Sequence, residues 1–328
     1  MTTTTDTDSS SCATRYPLLL LHGAGMRDGK KSRIWGRIPE VLRSQGAQVF
    51  FGEHDAWGTP FSNAVQLLEK LPEILAESGS TKINIIAHSK GGVDARHLLA
   101  LLLEEPLDEL PIASLTTIAT PHHGSRSLEV LLSALWPIFI PIDLLVNRIY
   151  KGFGDENPDF LGTCLQLTPL NMREFNASQP DLSPVYSQQF ASRLHGAVDD
   201  PLVFLPYFIV YRLEGPNDGL ITLHSSSYDH FRGEFCTADG RGLSHDYLVD
   251  LPKRPFSSLR LSRSSKLASQ PARERVLRST AKSECLPLVG SRRSSIEYEG
   301  APEGVLLDCE DIPAIYLSLV ADLRARGY

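Results

Sequence analysis

Ser89 stands at the centre of the most informative stretch of the chain, Ile83-Asn84-Ile85-Ile86-Ala87-His88-Ser89-Lys90-Gly91-Gly92. An apolar run leads into the serine, and two glycines open a helix-period segment after it. Strand, sharp turn and helix in that order hold a serine in a strained backbone conformation with its hydroxyl exposed, as nucleophilic catalysis requires. The strand and helix cross closely at such a turn, so the residues two before and two after the serine must be small. Ala87 and Gly91 meet that need, with alanine where glycine is usual. A serine that merely caps the helix is the plainer reading. The strand before it and the glycine pair after it favour the nucleophile.

A serine nucleophile needs N–H donors for the oxyanion formed on attack. The residue after the serine supplies one, here the backbone N–H of Lys90. The other should come from a loop that follows an earlier strand. Leu21-His22-Gly23-Ala24-Gly25 is a buried run ending in a Gly-rich turn, and the N–H of Ala24 is the candidate; an ordinary glycine turn is the alternative. The Lys90 side chain puts a positive charge at a helix N-terminus, where the macrodipole disfavours it. Asp94 lies one turn on and can pair with it, and the pair reads as solvated.

The serine also needs a base, and the base needs an orienting carboxylate. Along a chain of this pattern the order is serine, acid, histidine. An apolar run at 207–213, read as a strand, ends in Glu214-Gly215-Pro216-Asn217-Asp218-Gly219-Leu220. Asp218 is the acid by its place in that turn, with Glu214 and Asp229 as lesser candidates. Three histidines follow Asp218, namely His224, His230 and His245. His245, in the loop Gly242-Leu243-Ser244-His245-Asp246, is the preferred base.

The elements that position these residues follow from periodicity. Apolar runs at 16–21, 48–51, 82–87 and 113–119 read as strands, and helix-period segments fall at 34–43, 63–75 and 91–103. Strands taking turns with helices call for a mostly parallel sheet covered on both faces, an α/β fold. A further strand is expected near 230–236 and an amphipathic helix at 313–326, with proline in its first turn.

Between Leu128 and Tyr150, 16 of 23 residues are apolar, and Pro137 and Pro141 interrupt them. That is too apolar for an exposed helix of a soluble domain and too broken for a membrane span, and it reads as an apolar cap over a pocket. From Lys253 to Arg293 there are 11 basic and 2 acidic residues, against −7 for the whole chain. Such a segment cannot bury enough apolar surface to offset its ordering entropy. The expected organisation is a disordered tail at 1–14 and one domain at 15–328, with a cap at 126–195 and a disordered basic loop at 255–300.

Composition excludes several classes. The chain has 328 residues, of which 42% are hydrophobic and 22% charged, enough for a large core without staples. A net charge of −7 excludes binding of nucleic acid by bulk charge. Five scattered cysteines form no zinc pattern, and no metal or cofactor is expected. Residues 1–13 carry no basic start for a signal peptide, and no run reaches a membrane span. A cytoplasmic chain is expected, with leaderless export left open.

Four ordered blocks together resemble the bacterial triacylglycerol lipases of the α/β-hydrolase superfamily, of the Pseudomonas/Burkholderia type and their Gram-positive relatives. They are Tyr16-Pro17-Leu18-Leu19-Leu20-Leu21-His22-Gly23, Ala87-His88-Ser89-Lys90-Gly91-Gly92, the stretch Ala113-Ser114-Leu115-Thr116-Thr117-Ile118-Ala119-Thr120-Pro121-His122-His123-Gly124-Ser125, and Asn217-Asp218-Gly219-Leu220-Ile221. The resemblance implies the α/β-hydrolase fold and a lid after the strand ending at Ala119. It implies Ser89 as nucleophile, Asp218 as acid, His245 as base, and the Ala24 and Lys90 N–H groups as oxyanion donors. His122 and His123 become structural loop residues. The implied substrate is a lipid or other acyl ester, met at an interface through the lid, with no obligate protein partner. A thioesterase, an acyltransferase or a non-catalytic lipid-binding module would use the same frame. The family's secretion signal, disulfide and calcium site are not carried over; Asp246 and Asp250 lie near His245, but at unmatched spacing.

Overall fold

Parallel neighbours need a long crossover between them, which is what the alternation of apolar runs and helical segments supplies. In the computed structural model, one sheet contains β1 (Leu18–Leu21), β2 (Val49–Phe51), β3 (Ile83–His88), β4 (Ile112–Ile118), β5 (Tyr186–Ser192), β6 (Phe231–Cys236) and β7 (Cys285–Pro287). Their order is β2-β1-β3-β4-β5-β6-β7, and every neighbouring pair is parallel. The structure describes residues 12–28, 34–105, 107–179, 184–236, 242–251, 285–287 and 312–328. Apart from 12–14 and 285–287, the expected tail at 1–14 and basic loop at 255–300 lie outside the described residues.

Strand side chains alternate between two cores. Leu18, Leu20 and Ile86 pack with α1 (Ile38–Ser44) and with the last helix (Ile312–Ala325). Leu19, Leu21, Ile83 and Ile85 pack with α2 (Pro60–Ser78) and α3 (Lys90–Glu104) on the opposite face. Each fully buried Leu or Ile stabilises the fold by roughly 1.5–3 kcal/mol. The strand order reverses at β1, with β2 on one side of it and β3 on the other. A crevice therefore opens where the loops after β1 and β3 leave the carboxyl edge of the sheet.

Between β4 and β5 the chain makes four helices, α4 (Arg126–Ala134), α5 (Trp136–Phe153), α6 (Phe160–Gln166) and α7 (Pro169–Ser178). Pro137 falls in the first turn of α5, and α4 and α5 meet at 103°. No residue of α5 is buried. No single described helix is long and apolar enough to cross a membrane.

Two elements differ from the expectation. The run at 207–213 is not a strand but part of a helix, α8 (Phe204–Glu214). A continuous apolar run has no period to separate strand from helix. Pro206 sits in the first turn, where its missing N–H is not needed, and only Tyr207 and Val210, one helical turn apart, are buried. The strand β5 was not anticipated because it is polar: Ser187, Gln188, Gln189 and Ser192 are all buried. Its glutamines look like surface residues, yet Gln188 Nε2 donates to Thr116 Oγ1 on β4 at 2.9 Å. The expected cap interval 126–195 thus also contains a sheet strand.

Candidate functional site

Ser89 lies between the last residue of β3 and the first of α3, with φ 56° and ψ −131°. A positive φ at a residue with a Cβ costs about 1–3 kcal/mol and needs surroundings that enforce it. Those surroundings are glycines. A Cβ on Gly23 would stand 2.8 Å from Ser89 Cβ and 3.2 Å from Ser89 Oγ. One on Gly91 would reach within 2.7 Å of the Leu21 carbonyl oxygen and still closer to that of His22. One on Gly92 would run into Thr120. The loop after β1 is therefore pressed directly against the serine. The backbone N–H groups of Ala24 and Lys90 donate to no acceptor among the described residues.

Asp218 and His245, 27 residues apart, are brought together and buried. His245 Nδ1 lies 2.7 Å from Asp218 Oδ2. A carboxylate can only accept, so Nδ1 carries the hydrogen and Nε2 is left with its lone pair. The other oxygen, Oδ1, accepts from the N–H groups of Leu220 and Ile221 at 3.0 and 2.8 Å. The two loops are also joined by main chain, His245 N–H to Asp218 carbonyl at 2.9 Å. Both are tied to the end of β5, through Leu243 N–H to the Arg193 carbonyl and Leu194 N–H to the Asn217 carbonyl. Burial alone lowers the pKa of His245. The charge and hydrogen bond of Asp218, with a contribution from Asp246, outweigh it and lift the pKa above 6.5.

The ring of His88, beside Ser89, stands 4.5 Å from that of His245, centroid to centroid. Burial, then the His245 charge, hold the His88 pKa well below 6.5, so His88 is a neutral wall. No hydrogen bond joins Ser89 Oγ to His245 among the described residues; such contacts are often loose before substrate binds.

The lesser candidates go elsewhere. Glu214 accepts from the backbone N–H of Ser127 at 2.6 Å and also from its hydroxyl, holding α8 to α4. Asp229, His224 and His230 are exposed. His122 is buried between Thr117 Oγ1 at 2.9 Å and Arg96 Nη1 at 3.3 Å, a structural loop residue. Asp250 is engaged by Arg37, through its backbone N–H at 2.7 Å and its guanidinium at 2.7 and 2.9 Å. Among the described residues no group of three or more His, Cys, Asp or Glu could hold a metal ion.

The Lys90–Asp94 pair is not solvated. Both side chains are buried, and Lys90 Nζ donates to both Asp94 oxygens at 2.9 and 2.8 Å. The sharp crossing of β3 and α3 turns this side chain inward, away from the exposed helix face that its charge suggested. Asn63 Nδ2 donates to Asp94 Oδ2 at 2.9 Å, and His54 Nε2 lies 3.3 Å from the same oxygen. Sequence reasoning missed Asn63 and His54. Asn63 shares the buried stripe of α2 with Leu67, Leu71 and Ile74, and a polar residue on such a stripe signals a buried partner.

Residues 62–136 match the family described as "Putative serine esterase (DUF676)". A triacylglycerol lipase of Pseudarthrobacter phenanthrenivorans is 36% identical over 119 residues, 35% of this chain and 35% of that one. Triacylglycerol lipase 2 of Saccharomyces cerevisiae is 30% identical over 210 residues, 61% of this chain and 58% of the yeast protein. The matches thus span about a third to three-fifths of those relatives. Among solved structures, a Bacillus licheniformis lipase aligns over 75% of this chain and 92% of its own, with TM-score 0.53 and 20% identity. A Staphylococcus hyicus lipase aligns over 71% and 88%, with TM-score 0.54 and 16% identity.

Proposed function

We propose that this chain, which has the α/β-hydrolase fold of the bacterial lipases, is a serine carboxylic-ester hydrolase acting on lipid or other acyl esters. One observation carries the reading: a serine held at φ 56° on the turn between β3 and α3, where the loop after β1 presses on it, and next in the chain to His88, whose ring stands 4.5 Å from that of His245 in the buried Asp218–His245 pair. Ser89 attacks the acyl carbonyl while His245 Nε2 takes its proton, and Asp218 holds the imidazole in the required tautomer. The Ala24 and Lys90 N–H groups, which have no acceptor among the described residues, receive the oxyanion. His245 returns the proton to the leaving alcohol. Water, deprotonated in turn by His245, then releases the acid from the acyl-enzyme.

The lipid part of the reading rests on the helices between β4 and β5 and on the names of the relatives. Trp136, Ile138, Ile140, Leu144, Leu145 and Phe153 of α5 are exposed. Phe204, Leu205 and Phe208 of α8 are exposed as well, and apolar surface of this extent suits an oil–water interface. The test compares p-nitrophenyl esters of short and long chain, acyl-CoA thioesters and an alcohol acceptor, with Ser89→Ala as control. The reading expects ester hydrolysis that is lost in Ser89→Ala. Faster turnover of a thioester, or transfer to the alcohol over hydrolysis, would replace it with a thioesterase or an acyltransferase.

A further inference from the structure

We propose that the foot of α5, through Tyr150 and Asp155, is a positioning element for the oxyanion, holding the turn that presents the Ala24 N–H. The inference rests on the ester-hydrolase reading above and extends it to residues outside the triad.

The turn Gly23-Ala24-Gly25 is short, and glycines give it little stiffness of its own. Gly25 has φ 71°, and a Cβ there would touch Trp57 at 3.3 Å. On its inner side Gly25 N–H donates to the Ala56 carbonyl at 3.0 Å. Its carbonyl, one peptide unit beyond Ala24, accepts from the hydroxyl of Tyr150 at 2.9 Å. Two residues further, Arg27 is hydrogen-bonded to the buried Asp155, and the second Asp155 oxygen accepts from Trp57 N–H at 3.1 Å. Gly154, at φ 103°, lets the chain pass close to that guanidinium, since a Cβ there would stand 3.3 Å from Arg27 Nη2. The turn is therefore fastened at residues 25 and 27 to residues 150 and 155, on either side of the end of α5.

The fastening continues under the site. Asp55 takes the N–H groups of Glu156 and Asn157 at 2.7 and 2.6 Å, while its carbonyl accepts from Asn63 Nδ2 at 2.9 Å. Asn63 also bonds Asp94, the partner of Lys90. Both candidate oxyanion donors, Ala24 and Lys90, are thus braced against the chain just after α5. Exposed apolar residues run the length of α5, from Trp136 to Phe153, so one helix offers both a lipid-facing surface and, at its end, a hold on the oxyanion turn.

The experiment measures soluble p-nitrophenyl butyrate hydrolysis and the inhibition constant of a trifluoromethyl ketone, which forms a charged hemiketal on a nucleophilic serine. Tyr150→Phe removes one oxygen. Arg27→Met removes the second fastening, and Arg27→Lys retains a cation there. A missing oxyanion donor costs ~10²–10³ in kcat, so a donor left in place but loosened should cost about tenfold. Tyr150→Phe and Arg27→Met should each lower kcat by roughly that factor, leave KM within about twofold, and weaken the ketone in the same proportion. Arg27→Lys should recover most of the loss. A fall in melting temperature with kcat and the ketone constant unchanged would assign these residues to packing alone and overturn the proposal. A fall in kcat with the ketone constant unchanged would overturn it equally. Each variant is read separately, so failure of one to fold leaves the other decisive. A wild-type protein with no ester hydrolysis would instead refute the underlying ester-hydrolase reading, and the proposal would fall with it.

Discussion

Asp94→Asn removes a charge without opening a cavity, and its cost decides what kind of ion pair Lys90 forms. Lys90 Nζ lies 2.9 and 2.8 Å from the two oxygens of Asp94, and both side chains are buried. An asparagine offers one oxygen, and its NH₂ must face the ammonium or the donors of Asn63 and His54. Lys90 keeps only the more distant charges of Asp55 and Asp155. Removing one partner of a buried pair costs about 3–5 kcal/mol, and those two carboxylates put the expected loss near the lower end, ~3 kcal/mol. An unfolding entropy of roughly 0.7 kcal/mol per degree for a chain of this length makes that a fall of about 4–5 °C in Tm. A solvated pair would cost under ~1 kcal/mol. Adding Lys90→Met removes the stranded charge and should return stability to within about 1 kcal/mol of wild type. Urea unfolding of the two single variants and the double variant gives the coupling directly. The pKa of Asp94 is also informative: burial raises it, but the Lys90 charge, the neighbouring His54 and the Asn63 hydrogen bond bring it below 3.8. Its contribution is therefore complete above pH 3.8 and lost as pH falls through the lower folded value, an acid sensitivity the asparagine variant should lack. A loss below about 1 kcal/mol in Asp94→Asn, or no recovery in the double variant, would refute the reasoning.

In the proposed mechanism His245 must be neutral to accept the Ser89 proton, and Asp218 lifts its pKa above 6.5, so kcat/KM should rise with pH through an apparent pKa higher than 6.5. Stability from the Asp218–His245 pair has the opposite course, complete below pH 6.5 and lost as pH rises through the folded value. Asp218→Asn should lower kcat by about 10⁴-fold, and burial should then take the remaining acid limb below 6.5; an unmoved limb would remove Asp218 as the partner. Gly91→Val would drive a side chain into the Leu21 and His22 carbonyls and should abolish activity while costing more than ~1–3 kcal/mol in urea unfolding. Leu144→Asp with Leu145→Asp, both on exposed positions of α5, should reduce turnover of an emulsified long-chain ester far more than that of a dissolved short one. Equal effects on the two substrates would argue against a lipid-facing role for α5.

The turn around Ser89 was legible because its requirements are local and severe. A strained serine, a small residue before it and two glycines after it have few other uses together. The Asp218–His245 pair was legible as chain order and turn placement, while its closure depends on Arg193 and Asn217, whose pairings nothing nearby in sequence announces. Buried polarity was the main blind spot. Gln188 and Gln189 concealed β5, and Lys90 looked like a surface lysine, because hydropathy cannot tell a satisfied buried polar group from a solvated one. The helix at 204–214 was misread for the complementary reason, an apolar run that is exposed on most of its length. The brace between Gly25–Arg27 and Tyr150–Asp155 joins residues more than a hundred positions apart and left no trace in local pattern.

The central claim is that Ser89 is an activated nucleophile. Labelling of the folded wild type and of Ser89→Ala with a fluorophosphonate probe, followed by peptide mapping, tests it most directly. The account predicts a single adduct on the peptide containing Ala87-His88-Ser89-Lys90, absent from Ser89→Ala, with ester hydrolysis lost alongside it. An adduct on another residue, or a well-folded wild type that hydrolyses esters unlabelled at Ser89, would contradict the account.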